Sequence, residues 1–283
     1  MTGNTGNTGN TGNTGNAGGA SYSGGGWVFA DRIDWPFVLE AGGDAAPKLA
    51  SPPDFPESRW GAEWRAQLVL DEFVHAVDWD SLDIELARGT EQAAIPPDPS
   101  GEIAKLLQYA EDNRADALGE ILPQSDEFLS YFAGILQISP GTRPATRTLL
   151  HIAEVVGTVA VMHFKKQKMR ARPSTVCPAL FPPLSVPAHP SWPSGHATQS
   201  RLAFVLLKFA LENVPGSAPA TRGPLVAALE VLANRIARNR EIAGLHFPSD
   251  SVAGKNLGDQ LLDVLKTCPA FMEVVAQAAQ EAW

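Results

Sequence analysis

Two histidines in this sequence, His196 and His246, stand beside residues that suit an anion, and three short segments carry them. The first segment, KKQKMRARP (165–173), has Lys165 and Arg172 seven residues apart, followed by Pro173. In a helix that spacing is two turns, so both cations leave one face, and Pro173 stops the helix. Lys166, Lys168 and Arg170 read as a solvated basic helix end, favoured by the helix dipole. The second segment, HPSWPSGHATQ (189–199), closes a proline-rich loop and opens an apolar helix. Ser194 is a natural N-cap, and Gly195 lets the backbone come close to a ligand. The free N–H groups of such a helix end bind anions, and His196 can give or take a proton on a bound oxygen. The third segment, NREIAGLHFPSD (239–250), has Arg240 and His246 six apart with Gly244 between them. Gly244 relaxes the helix end so that His246 turns inward, and Pro248 suits the first turn of the next helix. Asp250, four residues beyond His246, can accept its N–H and fix the tautomer. The other imidazole nitrogen is then free as a nucleophile or metal ligand. Lys165, Arg172 and Arg240 together neutralise a multiply charged tetrahedral oxyanion, and arginine can do so bidentately. Phosphate and vanadate both answer that description.

The elements that position these groups read as helices. Leu68, Leu70, Phe73, Val74 and Val77 fall at roughly helical spacing. Ser81 to Ala94 is ambiguous, and Pro96, Pro97 and Pro99 end it. Helices are expected over 101–121, 126–137 and 144–171, then over 197–213, 222–243, 250–266 and 269–282. Seven prolines between 173 and 193 exclude a helix or central strand there and make a stiff loop. Few segments alternate with period two. The expected fold is therefore all-α, with about eight to ten helices.

The 283 residues suffice for a large core, and 44% hydrophobic with 19% charged is an ordinary globular balance. The net charge of −9 argues against a nucleic-acid partner, so the anion site is a local basic pocket in an acidic protein. Cys177 and Cys268 are too few for a disulfide framework and lack metal-ligand spacing; they read as free thiols. Residues 1–26 open with five Thr-Gly-Asn triplets, cannot offset the entropy of ordering, and read as a disordered tail. Residues 27–60 read as an extended arm on a single catalytic domain, 27–283, and that arm could wrap a partner in a homo-oligomer. No basic-then-apolar leader is seen, and no stretch approaches 18 uninterrupted apolar residues, so the expected location is cytoplasmic with no membrane partner.

As a set, K-x6-R-P, P-S-G-H and R-x5-H-x3-D resemble the signature of the type 2 phosphatidic acid phosphatase superfamily. That superfamily holds bacterial acid phosphatases, lipid phosphatases and vanadium-dependent haloperoxidases. The match covers roughly residues 160–260, and Asn239 stands where the pattern usually has Ser. The resemblance implies an acid phosphatase/vanadium haloperoxidase-like helical bundle. It implies that Lys165, Arg172 and Arg240 hold the anion oxygens and that Ser194 and Gly195 donate hydrogen bonds. His196 would be the acid–base group. His246 would attack phosphorus in a phosphatase or coordinate vanadium in a peroxidase. His189, five before Ser194, resembles the bromoperoxidase form of the segment. On that ground the expected function is a vanadium-dependent haloperoxidase. Its cofactor would be vanadate, held by Lys165, Arg172, Ser194, Gly195, His196, Arg240 and His246. Its partners would be hydrogen peroxide, halide (bromide first) and an organic acceptor, with His196, Lys165 and His189 acting on the peroxide step. The alternative is a soluble acid phosphatase working through a phosphohistidine, favoured by the run KMRARP and by the mere ~50 residues between His196 and His246. A third class, a binding protein that keeps the pocket without turnover, is disfavoured because both histidines and all three cations are present.

Overall fold

The computed structural model describes residues 55, 60–86, 90–139, 142–215 and 219–281. The expected tail (1–26), and the expected arm (27–60) apart from its residues 55 and 60, lie outside the described residues. The chain divides between Gly61 and Ala62, and the second unit carries every helix named below.

The fold is all-α, with no strand among the described residues. Among the described residues eleven α-helical segments follow in order: α1 (Ala62–Ala76), α2 (Ser100–Asp112), α3 (Arg114–Ile121), α4 (Pro123–Asp126), α5 (Leu129–Ile135), α6 (Pro144–Lys168), α7 (Pro173–Val176), α8 (Gly195–Glu212), α9 (Pro219–Ile242), α10 (Pro248–Leu265) and α11 (Pro269–Ala278). The helix expected over 101–121 is broken at Asn113 into α2 and α3. The proline-rich loop does hold one short α-helix, α7, and a single 3-10 turn over Pro178–Leu180. Pro173 sits in the first turn of α7, where a missing N–H costs nothing.

Helix α8 is the centre of the bundle and packs on α6, α9 and α10, while α1 and α11 cover α6. Its inward stripe, Leu202, Ala203, Leu206, Leu207 and Ala210, is fully buried. The crossing of α8 with α10 is set by two glycines one turn apart on α10. A Cβ on Gly254 would lie 2.6 Å from the Ser194 carbonyl oxygen, and one on Gly258 would lie 2.8 Å from that of Thr198. Only glycine permits backbones that close. The Ser194 N–H donates to the Asp250 carbonyl at 2.9 Å across the same crossing, so the second and third motifs are stitched together there.

A smaller apolar cluster, including Leu106, Tyr109, Ile121, Leu180, Leu245 and Phe247, lies between α2, α3 and the turn after α9. It seats the third motif. The start of α6, where Arg143 has a left-handed φ of 51°, is capped from a distance: the Glu281 carboxylate accepts from the N–H of Ala145 at 2.8 Å and of Thr146 at 3.0 Å.

Candidate active site

The third motif folds much as its residues dictate. Helix α9 ends at Ile242, Gly244 takes a left-handed φ of 74°, and Pro248 occupies the first turn of α10. The chain between them turns His246 into the interior, where it is 4% exposed. Its Nδ1 lies 3.3 Å from Oδ2 of Asp250. Its Nε2 lies 3.0 Å from Nη1 of Arg172. Arginine has no acceptor and no removable proton, so Nε2 bears the lone pair and the N–H is at Nδ1, on the carboxylate. Burial pushes the His246 imidazole well below its ordinary range; the Asp250 hydrogen bond opposes that, and Arg172 and Lys165 reinforce it. Burial alone would raise the Asp250 carboxyl. The His246 bond, the Arg170 guanidinium and the Ser191 hydroxyl reverse that and hold it at about 2.

Lys165 and Arg172 converge on the same space, but not by helical periodicity. Helix α6 stops at Lys168, Met169 takes a left-handed φ of 49°, and Arg172 is in extended backbone just ahead of α7. The two cations therefore leave different elements, correcting the expectation of one shared helix face. Lys165 is 1% exposed and donates to the carbonyls of Pro190 at 2.6 Å and Ser191 at 2.9 Å. Burial and the neighbouring Arg172 lower its ammonium to about 7, against the pull of Asp250. Arg172 spends its fork on the carbonyls of His189 (3.0 Å) and Leu245 (2.9 Å), on His246, and on Nδ1 of His189 (3.0 Å). His189 is thus half-buried beside the cage, with burial and Lys165 lowering its imidazole to about 4.

In the second motif Ser194 is the N-cap of α8, its Oγ accepting from the Ala197 N–H at 3.4 Å. Gly195 and His196 open the helix, where N–H groups have no partner within it. His196 Nε2 lies 2.9 Å from the Gln124 carbonyl. A carbonyl only accepts, so Nε2 carries a proton and Nδ1 is the nitrogen free to exchange one. Burial, then Arg240, then Arg172 and His189 bring this imidazole to about 4, against the Gln124 bond. Arg240 donates through Nη2 to the Ile121 carbonyl at 2.7 Å, while its Nε and Nη1 are buried with no partner among the described residues. A buried guanidinium with two edges unmatched is costly unless an anion meets it. Burial lowers it to about 10.

The structure thus brings together every residue expected from the sequence: Lys165, Arg172, His189, Ser194, Gly195, His196, Arg240, His246 and Asp250. It also supplies groups that sequence reasoning missed. Arg170, expected in solvent, has its side chain only 7% exposed. It donates to Oδ1 of Asp250 at 2.6 Å and to Oε2 of Glu102 at 2.7 Å, and lies 3.7 Å over the Phe247 ring. Ser191 donates a very short bond to Oδ2 of Asp250. Glu102, Gln124 and the Ile121 carbonyl come from the half of the chain without motifs, and no local signal marks them.

No family model matches the sequence, and no curated protein matches it. In structure the chain is similar to a transmembrane PAP2 type phosphatidylglycerolphosphate phosphatase from Bacillus subtilis. The two share 17% identity, with 72% of this chain and 95% of that one covered, at a TM-score of 0.46. The cytoplasmic location expected from the sequence does not stand. The stretch Pro144–Val176 is long and apolar enough to cross a membrane, although much of it is buried inside the protein. Counting uninterrupted apolar residues missed it because scattered polar residues break the run without making the stretch polar on average.

Proposed function

We propose that this chain is a phosphomonoesterase of the type 2 phosphatidic acid phosphatase kind, acting through a phosphohistidine on His246. The observation that carries the reading is the line Asp250–His246–Arg172: a carboxylate on Nδ1, and an anion-binding guanidinium on the lone pair of Nε2. A phosphoryl oxygen arriving at Arg172 takes over the N–H that now faces Nε2. It thereby frees the lone pair beside the phosphorus. Lys165, Arg172 and the two unmatched nitrogens of Arg240 spread the charge of the equatorial oxygens, with the N–H groups that open α8 as further donors.

In the first half-reaction, Nε2 attacks phosphorus, the N–P bond forms and the P–O bond to the leaving group breaks. His196 hands the Nδ1 proton to the departing oxygen. In the second, His196 takes a proton from water, the water oxygen attacks phosphorus, the N–P bond breaks and orthophosphate leaves. Asp250 offsets the positive charge that His246 carries while it is phosphorylated. The free protein has His196 near 4; a bound phosphate dianion favours the protonated imidazole and raises it toward working pH. The test is release of orthophosphate from p-nitrophenyl phosphate by wild type, with none from His246→Ala. Equal turnover by both proteins would refute the assignment.

A second reading has one specific support. His189 sits on Arg172 at the edge of the cage, the place that led the sequence reading toward a vanadium-dependent haloperoxidase. The residues fit vanadate as they fit phosphate, because the unmatched Arg240 nitrogens and the Nε2 of His246 suit any tetrahedral oxyanion. Lys165, Arg172, Ser194, Gly195, His196, Arg240 and His246 would hold it. Bound vanadate would supply Lewis acidity toward hydrogen peroxide, while His196 and His189 would move protons at its rim. Bromide-dependent bromination of a phenolic dye, by protein incubated with orthovanadate and peroxide, would favour this reading; its absence alongside phosphate release would exclude it.

A further inference from the structure

Gln124 and Asn239 are buried polar side chains, 0% and 3% exposed, and they meet each other beside the site. Asn239 precedes Arg240 on α9. Its Nδ2 donates to Oε1 of Gln124 at 2.9 Å and to Oε2 of Glu120 at 3.0 Å, using both amide protons. Arg235 holds the same Glu120 oxygen at 3.1 Å. The Gln124 backbone lies in α4, which is only four residues long, so its carbonyl is among those left without a helical donor. His196 Nε2 fills that acceptor at 2.9 Å. One helical turn earlier, the Ile121 carbonyl takes Nη2 of Arg240. The α3–α4 junction is therefore a backbone shelf on which the proton-transfer group and one anion-holding cation both rest, and Asn239 ties that shelf to α9.

We propose that Asn239, acting through Gln124, is the positioning residue that holds His196 as proton donor to the leaving oxygen. The inference rests on the phosphatase reading above and deepens it. A His196 ring that loses its Gln124 carbonyl loses the partner that keeps the exchangeable proton on Nδ1 and the ring in one orientation. A hydroxyl in place of the Asn239 amide offers one donor where the shelf uses two, so even serine is a partial loss. Proton donation matters most when the leaving oxygen is strongly basic. Phenoxide needs it more than p-nitrophenoxide, whose nitro group disperses the charge. The signature of a displaced His196 is therefore a change in leaving-group preference, whereas a protein merely loosened loses both substrates alike.

The experiment compares kcat/KM for phenyl phosphate and p-nitrophenyl phosphate in wild type, Asn239→Ala, Gln124→Ala and the double variant. The expected result is a loss on phenyl phosphate about tenfold larger than on p-nitrophenyl phosphate in each single variant, within the range general-acid catalysis contributes. The double variant is expected to be no worse than the poorer single one, because both remove one contact. If the alanine variants melt below assay temperature, Asn239→Ser, which keeps one donor, must show an intermediate ratio. Equal losses on both esters in an active protein, or no loss, overturn the inference alone. A folded wild type that hydrolyses neither ester overturns the phosphatase reading and this inference with it.

Discussion

Gly254→Ala asks how much of the activity depends on the closeness of α8 and α10. The new Cβ would lie 2.6 Å from the Ser194 carbonyl oxygen, 3.0 Å from Cβ of Ala197 and 3.1 Å from the Thr198 nitrogen. Two of these neighbours are backbone and cannot swing aside. A carbon–oxygen contact is comfortable at about 3.3 Å or more, so the helices must part by roughly 0.7 Å. Overpacking of that kind costs about 1–3 kcal/mol, and alanine returns about 1 kcal/mol through helix propensity. The net loss, at most about 2 kcal/mol, lowers the melting temperature by several degrees in a unit of this size and leaves the protein folded. The site suffers more. The Ser194-to-Asp250 bond across the crossing, 2.9 Å long, is a direct backbone link between the second and third motifs. A displacement near 1 Å in an assembled site costs on the order of a hundredfold, so kcat on p-nitrophenyl phosphate should fall about 10- to 100-fold in protein that still melts cooperatively. Gly134→Ala is the control, because its Cβ would meet nothing within 4 Å; it should keep full activity. Wild-type kcat in Gly254→Ala would refute the claim that this crossing sets the site.

Other expectations follow from the same geometry. His189 and His196 have folded values near 4, below their ordinary 6.5, and His246 is also lowered. Groups depressed on folding contribute stability that is full above about pH 6.5 and is lost as pH falls through about 4, so the phosphate-free protein should lose melting temperature across that window. Orthophosphate favours the charged imidazoles and should restore more melting temperature at pH 5 than at pH 8; an equal rise at both would contradict the shifts. Arg172→Lys leaves the His189 and Leu245 carbonyls and His246 without the planar fork that serves all three. It should lower kcat/KM about 100-fold or more, at roughly 1–3 kcal/mol for each buried group left unmatched, as read by steady-state kinetics. Arg170→Met strips the buried Asp250 of its ion partner. It should lower stability to urea by several kcal/mol, about 3–5 by analogy with other broken buried pairs, and a change under 1 kcal/mol would show that Ser191 and the backbone suffice.

Much of the site was legible because its parts are local. Ser194 caps α8, Gly244 turns left-handed, Pro248 starts α10, and Asp250 reaches the histidine one turn before it. Each of those depends on a few consecutive residues. What failed depended on tertiary structure. The helix carrying Lys165 ends at Lys168 because Met169 turns left-handed, which no period of hydrophobicity announces, so Arg172 arrives by an extended link rather than along a helix face. Arg170 looks like a solvated charge until Glu102 of α2 and Asp250 of α10 close on it. The shelf at Ile121–Gln124 lies more than 70 residues from His196 and more than 110 from Arg240, in a stretch with no motif. The membrane-length stretch Pro144–Val176 was missed for a different reason: its polar residues, Lys165 among them, interrupt any simple run.

The most direct test of the central claim is the covalent state of His246 during turnover. Protein mixed with a 32P-labelled phosphomonoester and quenched in alkali should carry a label that survives base, is released by mild acid and maps to the peptide containing His246. His246→Ala should carry none. Phosphate release by the wild type with no such label under rapid quench, or a label that persists undiminished in His246→Ala, would contradict the account.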